Sequence, residues 1–545
     1  MKRLLNNMMV AALIFGWFTA CTNSFLDQEP LGQETDQNFY NDPQNAIMAV
    51  NSIYDILQWD EGSLPTGNWS THNYEFIFGD ILSDDAEKGS SPSDFQEIQE
   101  LKEWRANSNN GVSNQVYFNM YFGIFRANTV LQKIPPATFD DEALKNRLMG
   151  EAYFLRGYFH FYLTRLYGGI PTLDAPVKPS EFGNIQRATL SDTYAFIQSD
   201  FEMAAELLPK RSQFSATDLG RATQGGAKAY LARVKMYEMG IVNANGNTWQ
   251  QVFDLSNEIM NSGEYRLVEN YATIFEEEGE NNAESVFEVQ FMDNGLDGGG
   301  GVNDTGGIGG KTGSTASIFQ GNRTDWGWGF NNPTQDLVDE FEVFDPRAHM
   351  AAFGEGDAVH GVVQTIPFPD ENATGYINRK AALEPSIRPS NIKSSPANHR
   401  KFRYAEVLLI RAEAALHLGN EQEARNMINT LRARARTSTL PKGSREGDNG
   451  YAPLPPEATN VLPDVEVSGQ ALWTALKHER RTELAMESLR FWDLVRWGEY
   501  LQGLEEAVRS NCETHLLEGT VNPVPVMPIP QTEVATWGLV QNPGY

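Results

Sequence analysis

The stretch that decides the fold is HRKFRYAEVLLIRAEAALHLGNEQEARNMINTLRARAR, which runs from His399 to Arg436. Apolar residues recur at spacings of three and four on both sides of Gly419-Asn420, which predicts two helices joined by a tight turn. Gly and Asn tolerate the left-handed conformation that ends many helices. The expected packing positions are Tyr404, Val407, Leu408, Arg411, Ala415 and Leu418 on the first helix and Ala424, Met427, Ile428, Leu431 and Ala435 on the second.

Small side chains near this turn allow the two helices to approach closely; they are Ala412, Ala414, Ala415 and Ala424. A helix–turn–helix of about 34 residues with this pattern is typical of a tetratricopeptide repeat. The alternative is an ordinary helical hairpin in a bundle. A repeat unit cannot bury its apolar face alone, so we expect more helical pairs elsewhere in the chain.

Helical periodicity recurs along the chain and predicts a mainly α fold. Helices are predicted over 43–57, 116–134, 141–167, 191–208, 222–239 and 470–497, and from Thr248, which forms a capping box with Gln251. Ser285 to Phe291 alternates as a strand. Residues 58–114 and 294–390 are rich in Gly, Asn and aromatic residues, and their weak periodicity predicts long ordered loops with few short strands.

Charge and cysteine content exclude several classes of protein. The formal net charge of the 545 residues is -29, which is unsuited to a nucleic-acid partner because a phosphate backbone needs a basic surface. Two cysteines cannot form a disulfide framework or a four-cysteine zinc site. We expect Cys512 to be a buried, apolar residue.

The N-terminus has the pattern of a secretion signal. Lys2-Arg3 precedes an apolar run from Met8 to Phe18, which is too short to span a bilayer. Ala20-Cys21 then resembles a bacterial lipobox, so residues 1–20 are predicted as a signal peptide, Cys21 as the lipidated residue and 21–37 as a tether. The alternative is a plain secretory signal with a chance cysteine. Acyl chains would anchor the protein at about 0.8 kcal/mol for each buried methylene.

Sequence motifs for nucleotide or metal binding are incomplete. Gly310-Lys311-Thr312 lacks the first glycine and the preceding strand of a phosphate-binding loop. Residues 293–298 half-match a calcium loop, but Gly295 stands where an oxygen ligand is needed, so only an incidental calcium remains an alternative. His478-Glu479 lacks the second histidine of a zinc protease, and the charges that follow are expected to pair with neighbouring helices. We predict no cofactor and no metal site.

Catalytic signals are also absent from the sequence. Asp84 and Asp85 could be considered for a glycosidase, whose two carboxylates lie roughly 5–10 Å apart across the scissile bond. Adjacent side chains usually point apart, so they make a poor pair. No GxSxG nucleophile elbow occurs in the chain. We therefore predict no catalytic residues.

Tryptophans in the loop regions are the stronger functional signal. The apolar C–H face of a sugar stacks on an indole ring, and its hydroxyl groups need polar partners. Trp69, Trp104, Trp326 and Trp328 lie among Gly, Asn and Asp residues and suit this use. The alternative is that each ring fills the core beneath a long loop. Trp473, Trp492 and Trp497 lie on predicted helices and are expected in the core.

Several motifs in order along the chain resemble one known family. They are Phe25-Leu26-Asp27 after Cys21, GEAYFLRG at 150–157, LYGGIP at 166–171, Asp345-Pro346-Arg347, RYAEVLLIRAE at 403–413, ERRTEL at 479–484, RFWDLVRWG at 490–498 and QNPGY at 541–545. This ordered set resembles the SusD/RagB nutrient-binding outer-membrane lipoproteins of Gram-negative bacteria.

The resemblance implies a function and a site. It implies a single SusD-like unit over 38–545, with an N-terminal part (38–270) and a C-terminal part (271–545) interleaved in one mainly α fold. It further implies a non-catalytic, surface-exposed protein that captures oligosaccharides, or in some members peptides, for a SusC-like TonB-dependent outer-membrane transporter. The ligand-binding residues expected from the corresponding loop regions are Trp69, Asp85, Trp104, Asn107, Trp326 and Trp328.

The resemblance also changes the interpretation of the opening helical pair. That pair becomes scaffold, with the helical layer expected to meet the transporter and the loops to bind the ligand. Competing interpretations are a peptide-binding lipoprotein, a lipoprotein glycoside hydrolase and a purely structural repeat scaffold.

Overall fold

A computed structural model describes residues 39–59, 61–62, 71–72, 74–295 and 312–545. Its helices are α1 (Pro43–Asp55), α2 (Gln96–Lys102), α3 (Gly111–Lys133), α4 (Glu142–Tyr167), α5 (Leu190–Leu207), α6 (Gln224–Ile241), α7 (Trp249–Asn261), α8 (Ala316–Gln320), α9 (Gln335–Glu340), α10 (Ala348–Ala351), α11 (Tyr404–His417), α12 (Glu421–Arg436), α13 (Gln470–Glu483), α14 (Arg490–Trp497), α15 (Glu506–Glu513) and α16 (Gln531–Trp537). The predicted mainly α class is confirmed.

The strands are short and form antiparallel pairs. They are β1 (Glu61–Gly62), β2 (Thr71–His72), β3 (Ala86–Gly89), β4 (Ser285–Val289), β5 (Phe330–Pro333), β6 (Ala352–Gly354), β7 (Ala358–Val359), β8 (Val362–Val363), β9 (Tyr376–Asn378) and β10 (His399–Arg403). The pairs are β1 with β2, β3 with β5, β4 with β10, β6 with β9 and β7 with β8. The β3–β5 and β4–β10 pairs connect segments that are distant in sequence.

The long helices form one layer in which sequence neighbours pack on each other. Helices α3, α4, α5, α6 and α7 contact one another in that order, and α7 then contacts α11, which packs on α12. Residues 262–403 are therefore inserted between two adjacent helices of the layer. The expectation of further helical pairs is confirmed, and the inserted segment supplies most of the loop-rich part.

The helical pair that opened the sequence analysis is α11 and α12. Gly419 has φ of 75°, in the left-handed region expected of the turn. The second helix buries Ala424, Ile428, Leu431 and Ala435 as predicted. On the first helix the expected stripe is too narrow, because α11 is buried on nearly every side from Tyr404 to Ala415. The predicted burial of Leu418 is wrong, since Leu418 lies just past the end of α11 and is 42% exposed. Residues His399–Arg403 form strand β10 because they pair with β4.

The predicted helix over 470–497 is wrong, because the chain breaks between α13 and α14. Met486 and Ser488 adopt φ of 58° and 64°, which a helix excludes. Tertiary contacts hold the break: Lys380 Nζ donates to the Ala485 carbonyl over 2.8 Å, and the Ser488 amide donates to Asp80 Oδ1 over 2.8 Å. Periodicity along one helix carries no information about these distant partners.

Gly79 lies against this break, and a larger residue there is expected to destabilise the protein. A Cβ atom there would lie 2.1 Å from the Ser488 carbonyl oxygen, so the backbone of one segment would have to move. We expect Gly79→Ala to lower the free energy of unfolding by about 3 kcal/mol, as overpacking does. The control is Gly183→Ala, where no atom lies within 4 Å of the added methyl. Urea unfolding of both variants measures the difference; equal stability would contradict the contact.

Asp80, which contacts the break between α13 and α14, makes the stability of the protein sensitive to pH. Burial raises its pKa to about 7, although Asn331 hydrogen-bonds to it. Because the folded pKa is above the unfolded one, this carboxyl group costs stability as pH rises from about 4 to 7. Asp80→Asn should gain stability over the wild type across that range, on the order of 4 kcal/mol at most. The lost Ser488 hydrogen bond opposes part of the gain.

Unfolding curves at pH 4.5 and pH 8 measure the Asp80 effect. The matched control is Asp254→Asn on the exposed face of α7, which should follow the wild type at both pH values. A parallel pH dependence in Asp80→Asn and the wild type would contradict the raised pKa.

Buried charges join the loop-rich part to the helices. Arg347 is fully buried and contacts Asp345 at 2.8 Å, Glu479 at 2.5 Å and Glu483 at 3.1 Å. Arg403 and Arg434 also contact Glu483 and Glu284. We call the seven residues Glu284, Asp345, Arg347, Arg403, Arg434, Glu479 and Glu483 the buried ion network. The prediction that the charges after His478 pair with neighbouring elements is confirmed.

Candidate functional site

A cavity of about 170 Å³ lies between the helical layer and the loop-rich part. Tyr158 and Arg165 of α4 and Tyr230 of α6 line it, together with residues 380–384, 387 and 397–401. Ligand pockets usually measure about 300–1,000 Å³, so this cavity is small for an oligosaccharide.

Most charges in the cavity wall already have protein partners. Glu75 accepts hydrogen bonds from Tyr158 and, over 3.0 Å, from Lys401. Burial alone would raise the pKa of Glu75, but Lys401 and Arg165 lower it to about 2. Lys380 pairs with Glu487 at 2.7 Å. These pairs make the cavity a poor place for a neutral sugar to find free hydrogen-bonding groups.

A second candidate site lies on the loop between α8 and β5, which carries Trp326 and Trp328. The loop folds back on itself at two glycines, since a Cβ on Gly327 would lie 1.9 Å from the carbonyl carbon of Gly321. The Trp328 amide donates to the Ile318 carbonyl over 2.7 Å, and the Gly329 amide donates to the Gly321 carbonyl over 2.8 Å. These contacts fix the backbone of both tryptophans.

Both indole rings are half-buried and have cationic neighbours. The Arg388 guanidinium lies 5.6 Å from the centre of the Trp326 ring and forms two hydrogen bonds to Asp325, at 2.9 and 2.6 Å. The Lys393 ammonium lies 6.0 Å from the centre of the Trp328 ring. Each ring therefore has polar groups beside it, which suits a ligand with both apolar and hydroxyl surfaces.

Arg323 holds this loop against its surroundings. Its guanidinium donates to Ser90 Oγ over 2.7 Å and to Asp94 Oδ2 over 2.8 Å, and it pairs with Glu371 at 3.2 Å. Trp328 also packs edge-on against Phe319 of α8, with the ring centres 6.0 Å apart. We call Arg323, Asp325, Trp326, Trp328, Arg388 and Lys393 the tryptophan surface. It is a partly exposed group of side chains.

Comparison with known proteins assigns the family. Residues 364–545 match the family model described as the SusD family, and residues 24–236 match the model described as starch-binding, associating with outer membrane. Together the two matches cover more than half of the chain. The chain belongs to the SusD/RagB family. The family predicted from the sequence motifs is thereby confirmed.

Individual relatives agree with this assignment. The SusD-like protein P38 of Formosa agariphila is 25% identical over 507 residues, which cover 88% of this chain and 89% of that protein. A solved structure titled laminarin binding SusD-like protein has a TM-score of 0.71 and 25% identity over 92% of this chain and 99% of its own. Surface glycan-binding protein A from Bacteroides thetaiotaomicron, solved with laminarihexaose, shares the fold at a TM-score of 0.70 and 21% identity, over 92% and 99% of the chains.

Two of the predicted site residues of this SusD/RagB protein lie in its interior. Trp104 is 2% exposed, and its Nε1 donates to the Tyr500 hydroxyl over 2.8 Å. Asp85 is 1% exposed and pairs with Arg481 at 2.7 Å. The prediction that these two contact a ligand is corrected, because their polar groups are occupied by protein partners. For Trp104 the alternative interpretation is right, since its ring fills the core.

The other predicted residues have different positions. Trp69 lies outside the described residues. Asn107 is exposed in a turn where its side chain accepts from the Asn109 amide over 2.9 Å, and the next residue, Ser108, contacts Gln531 of α16. The structure thus brings together only Trp326 and Trp328 among the predicted residues that it describes. Sequence reasoning missed Arg388 and Lys393, whose only signal is a basic residue within an irregular region.

The remaining sequence expectations concern the motifs and the membrane. Asp84 contacts Arg490 at 2.8 Å and Asp85 contacts Arg481, so the adjacent carboxylates serve structural ion pairs. Cys512 is buried, as expected. Across the described ranges, no helix combines the length and the apolar character needed to cross a membrane. Cys21 and the tether lie before the first described residue.

Proposed function

We propose that this SusD/RagB protein is a non-catalytic lipoprotein of the outer-membrane surface that captures oligosaccharides at the tryptophan surface. The observation that carries the proposal is the pair of half-buried rings, Trp326 and Trp328, each beside a cationic side chain. A neutral glycan needs an apolar stacking face and charged or amide partners together. The laminarin-binding title of a relative with the same fold supports the choice of ligand class.

A binding role fits the chemistry of the acidic groups better than hydrolysis does. A glycosidase needs two carboxylates free to act on the scissile bond, as acid and as base or nucleophile. Asp84 and Asp85 are paired with Arg490 and Arg481 instead. On the tryptophan surface Asp325 is held by Arg388. We therefore propose binding without turnover.

Delivery to a SusC-like TonB-dependent transporter is the further part of the proposal. A lipidated Cys21 would hold the protein at the outer membrane, since two or three acyl chains give stable anchoring. The tether at 21–37 would then allow movement between a free and a transporter-bound position. The helical layer remains our proposed contact surface for the transporter, and the division into parts at residue 270 also remains a proposal.

The test is a titration of the purified full-length protein, in detergent, with oligosaccharides. Laminari-oligosaccharides form the first set, with malto-, xylo- and manno-oligosaccharides and a mixed peptide pool as the others. Isothermal titration calorimetry measures affinity, and chromatography of the recovered ligand measures turnover. Saturable binding of an intact glycan supports the proposal. Binding of peptides only, or shortened products, would replace it with the peptide-binding or the hydrolase interpretation.

Transporter delivery needs a separate measurement. The protein is purified from native outer membranes after mild solubilisation, and its mass and composition are determined. A stoichiometric complex with a TonB-dependent transporter is the expected result. Quantitative recovery as a free chain under conditions that preserve other outer-membrane complexes would contradict it.

A further inference from the structure

Three side chains that are distant in sequence lie close together, and two of them, Glu276 and Glu384, line the cavity. Glu276, His360 and Glu384 each present a possible metal-ligand atom, and these three atoms all lie within 4.8 Å of one another. Glu276 follows a helical turn at 271–275, His360 lies between β7 and β8, and Glu384 precedes a turn at 385–387. Three separate segments therefore supply one ligand each.

His360 is a buried histidine with one ring nitrogen available to a ligand. The side chain is 8% exposed, and its Nδ1 atom has no hydrogen-bond partner among the residues that the structure describes. The ring donates to the backbone of Ala382. An imidazole that is oriented by a backbone group and keeps one free nitrogen is the usual state of a metal-ligating histidine.

Glu276 is a buried carboxylate that likewise lacks a hydrogen-bond partner among the described residues. It is 7% exposed, and within the described part of the chain no group donates a hydrogen bond to its carboxylate. A buried carboxylate without donors is costly, and a coordinated cation would remove that cost.

Glu384 and its neighbours complete the group. One carboxylate oxygen of Glu384 accepts from Lys442 Nζ over 2.8 Å and the other from Ser386 Oγ over 2.9 Å, which leaves further lone pairs on each. Arg379 is the other nearby cation, and its guanidinium is committed to the carbonyls of Ala358 and Lys442. These positive charges weaken cation binding but leave ligand positions open.

We propose that Glu276, His360 and Glu384 bind one divalent metal ion of the zinc class. Imidazole nitrogen with carboxylate oxygen is a ligand set that Zn²⁺ accepts in proteins, at about 2.0–2.2 Å, whereas Ca²⁺ and Mg²⁺ select oxygen. Separations under 4.8 Å require only small side-chain movements to reach a common ion.

The site would fix a segment that also serves the tryptophan surface. Glu384 lies four residues before Arg388, which contacts the ring of Trp326. Residues 358–360, 379–384 and 442 are already linked by the hydrogen bonds of Arg379 and Lys442. A bound ion would add a direct link between Glu276, which precedes the strand β4, and this group.

The experiment measures Zn²⁺ binding to the untagged full-length protein after removal of metals with a chelator. Isothermal titration with ZnCl2 gives the stoichiometry, and thermal unfolding with and without Zn²⁺ gives the stabilisation. CaCl2 is the comparison ion. The variants are His360→Gln and Glu276→Gln, and the control is His417→Gln, an exposed histidine stacked on Trp249 of α7.

We expect one Zn²⁺ per chain, a rise in Tm with Zn²⁺ but not with Ca²⁺, and at least about tenfold weaker binding in both site variants. Glu276→Gln keeps the test valid if His360→Gln unfolds, because replacing a carboxylate without donors should leave the metal-free protein as stable as the wild type or more so. No binding by the wild type, or equal binding by wild type and Glu276→Gln, would overturn the proposal.

Discussion

Arg347→Ala is expected to lower the free energy of unfolding by about 3–5 kcal/mol, which is the cost of breaking a buried ion pair by removing one partner. Arg347 is fully buried, and its guanidinium serves Asp345, Glu479 and Glu483 at once. Without it, and among the residues that the structure describes, Asp345 loses its one cationic partner and Glu479 keeps only Arg432, at 3.3 Å. Uncompensated negative charge would remain in the core.

The measurement is urea unfolding at neutral pH, monitored by tryptophan fluorescence. The matched control is Lys228→Ala, which removes one member of the exposed pair between Lys228 and Glu258, at 2.6 Å. Exposed pairs contribute about 0–1 kcal/mol, so the control should change little. A loss for Arg347→Ala no larger than for Lys228→Ala would show that the buried ion network does not hold the two parts together.

The buried ion network also predicts how the stability of the protein changes as the pH falls. Burial would raise the pKa of Glu483, but Arg434, Arg403 and Arg347 lower it to about 2. A folded pKa below the unfolded value means that the contribution to stability is present above about pH 4.5 and is lost as pH falls towards 2. Asp80, with its raised pKa, acts in the opposite sense between about pH 4 and 7, so the two groups are separable by pH.

Three of the motifs that identified the family contain residues of the buried ion network. This overlap explains why the sequence predicts the fold. Asp345 and Arg347, Arg403, and Glu479 and Glu483 belong to three of the recognised motifs and meet in the interior. Their spacing in sequence is dictated by internal partners. The helical periodicity of apolar residues also predicts α1, α3 to α7, α11 and α12, because each of these helices buries a face or its whole surface.

Features set by distant partners could not be predicted in this way. The break between α13 and α14 depends on Asp80 and Lys380, which lie roughly 100 to 400 residues away in sequence. Trp104 and Trp328 have similar local contexts, yet Trp104 is buried against Tyr500 and Phe491 while Trp328 stays half-buried. The environment of an aromatic ring in a loop is a tertiary property.

The tryptophan surface leads to the second large expected effect, on ligand affinity. Trp326→Ala and Trp328→Ala should each weaken oligosaccharide binding about tenfold, which corresponds to about 1.4 kcal/mol of lost stacking and apolar burial. The double variant should lose about a hundredfold, subject to coupling between close residues. Arg388→Ala should weaken binding less, because it removes a polar partner and leaves both rings in place.

The control for these variants is Trp473→Ala, which removes a half-buried tryptophan of α13 that packs on Trp497. It should lose some stability but keep the affinity for the glycan. Calorimetric titration measures affinity, and thermal unfolding verifies that each variant is folded. If the folded double variant bound with wild-type affinity, the tryptophan surface would be excluded from the site, and the cavity beside Glu75 would become the stronger candidate despite its paired charges.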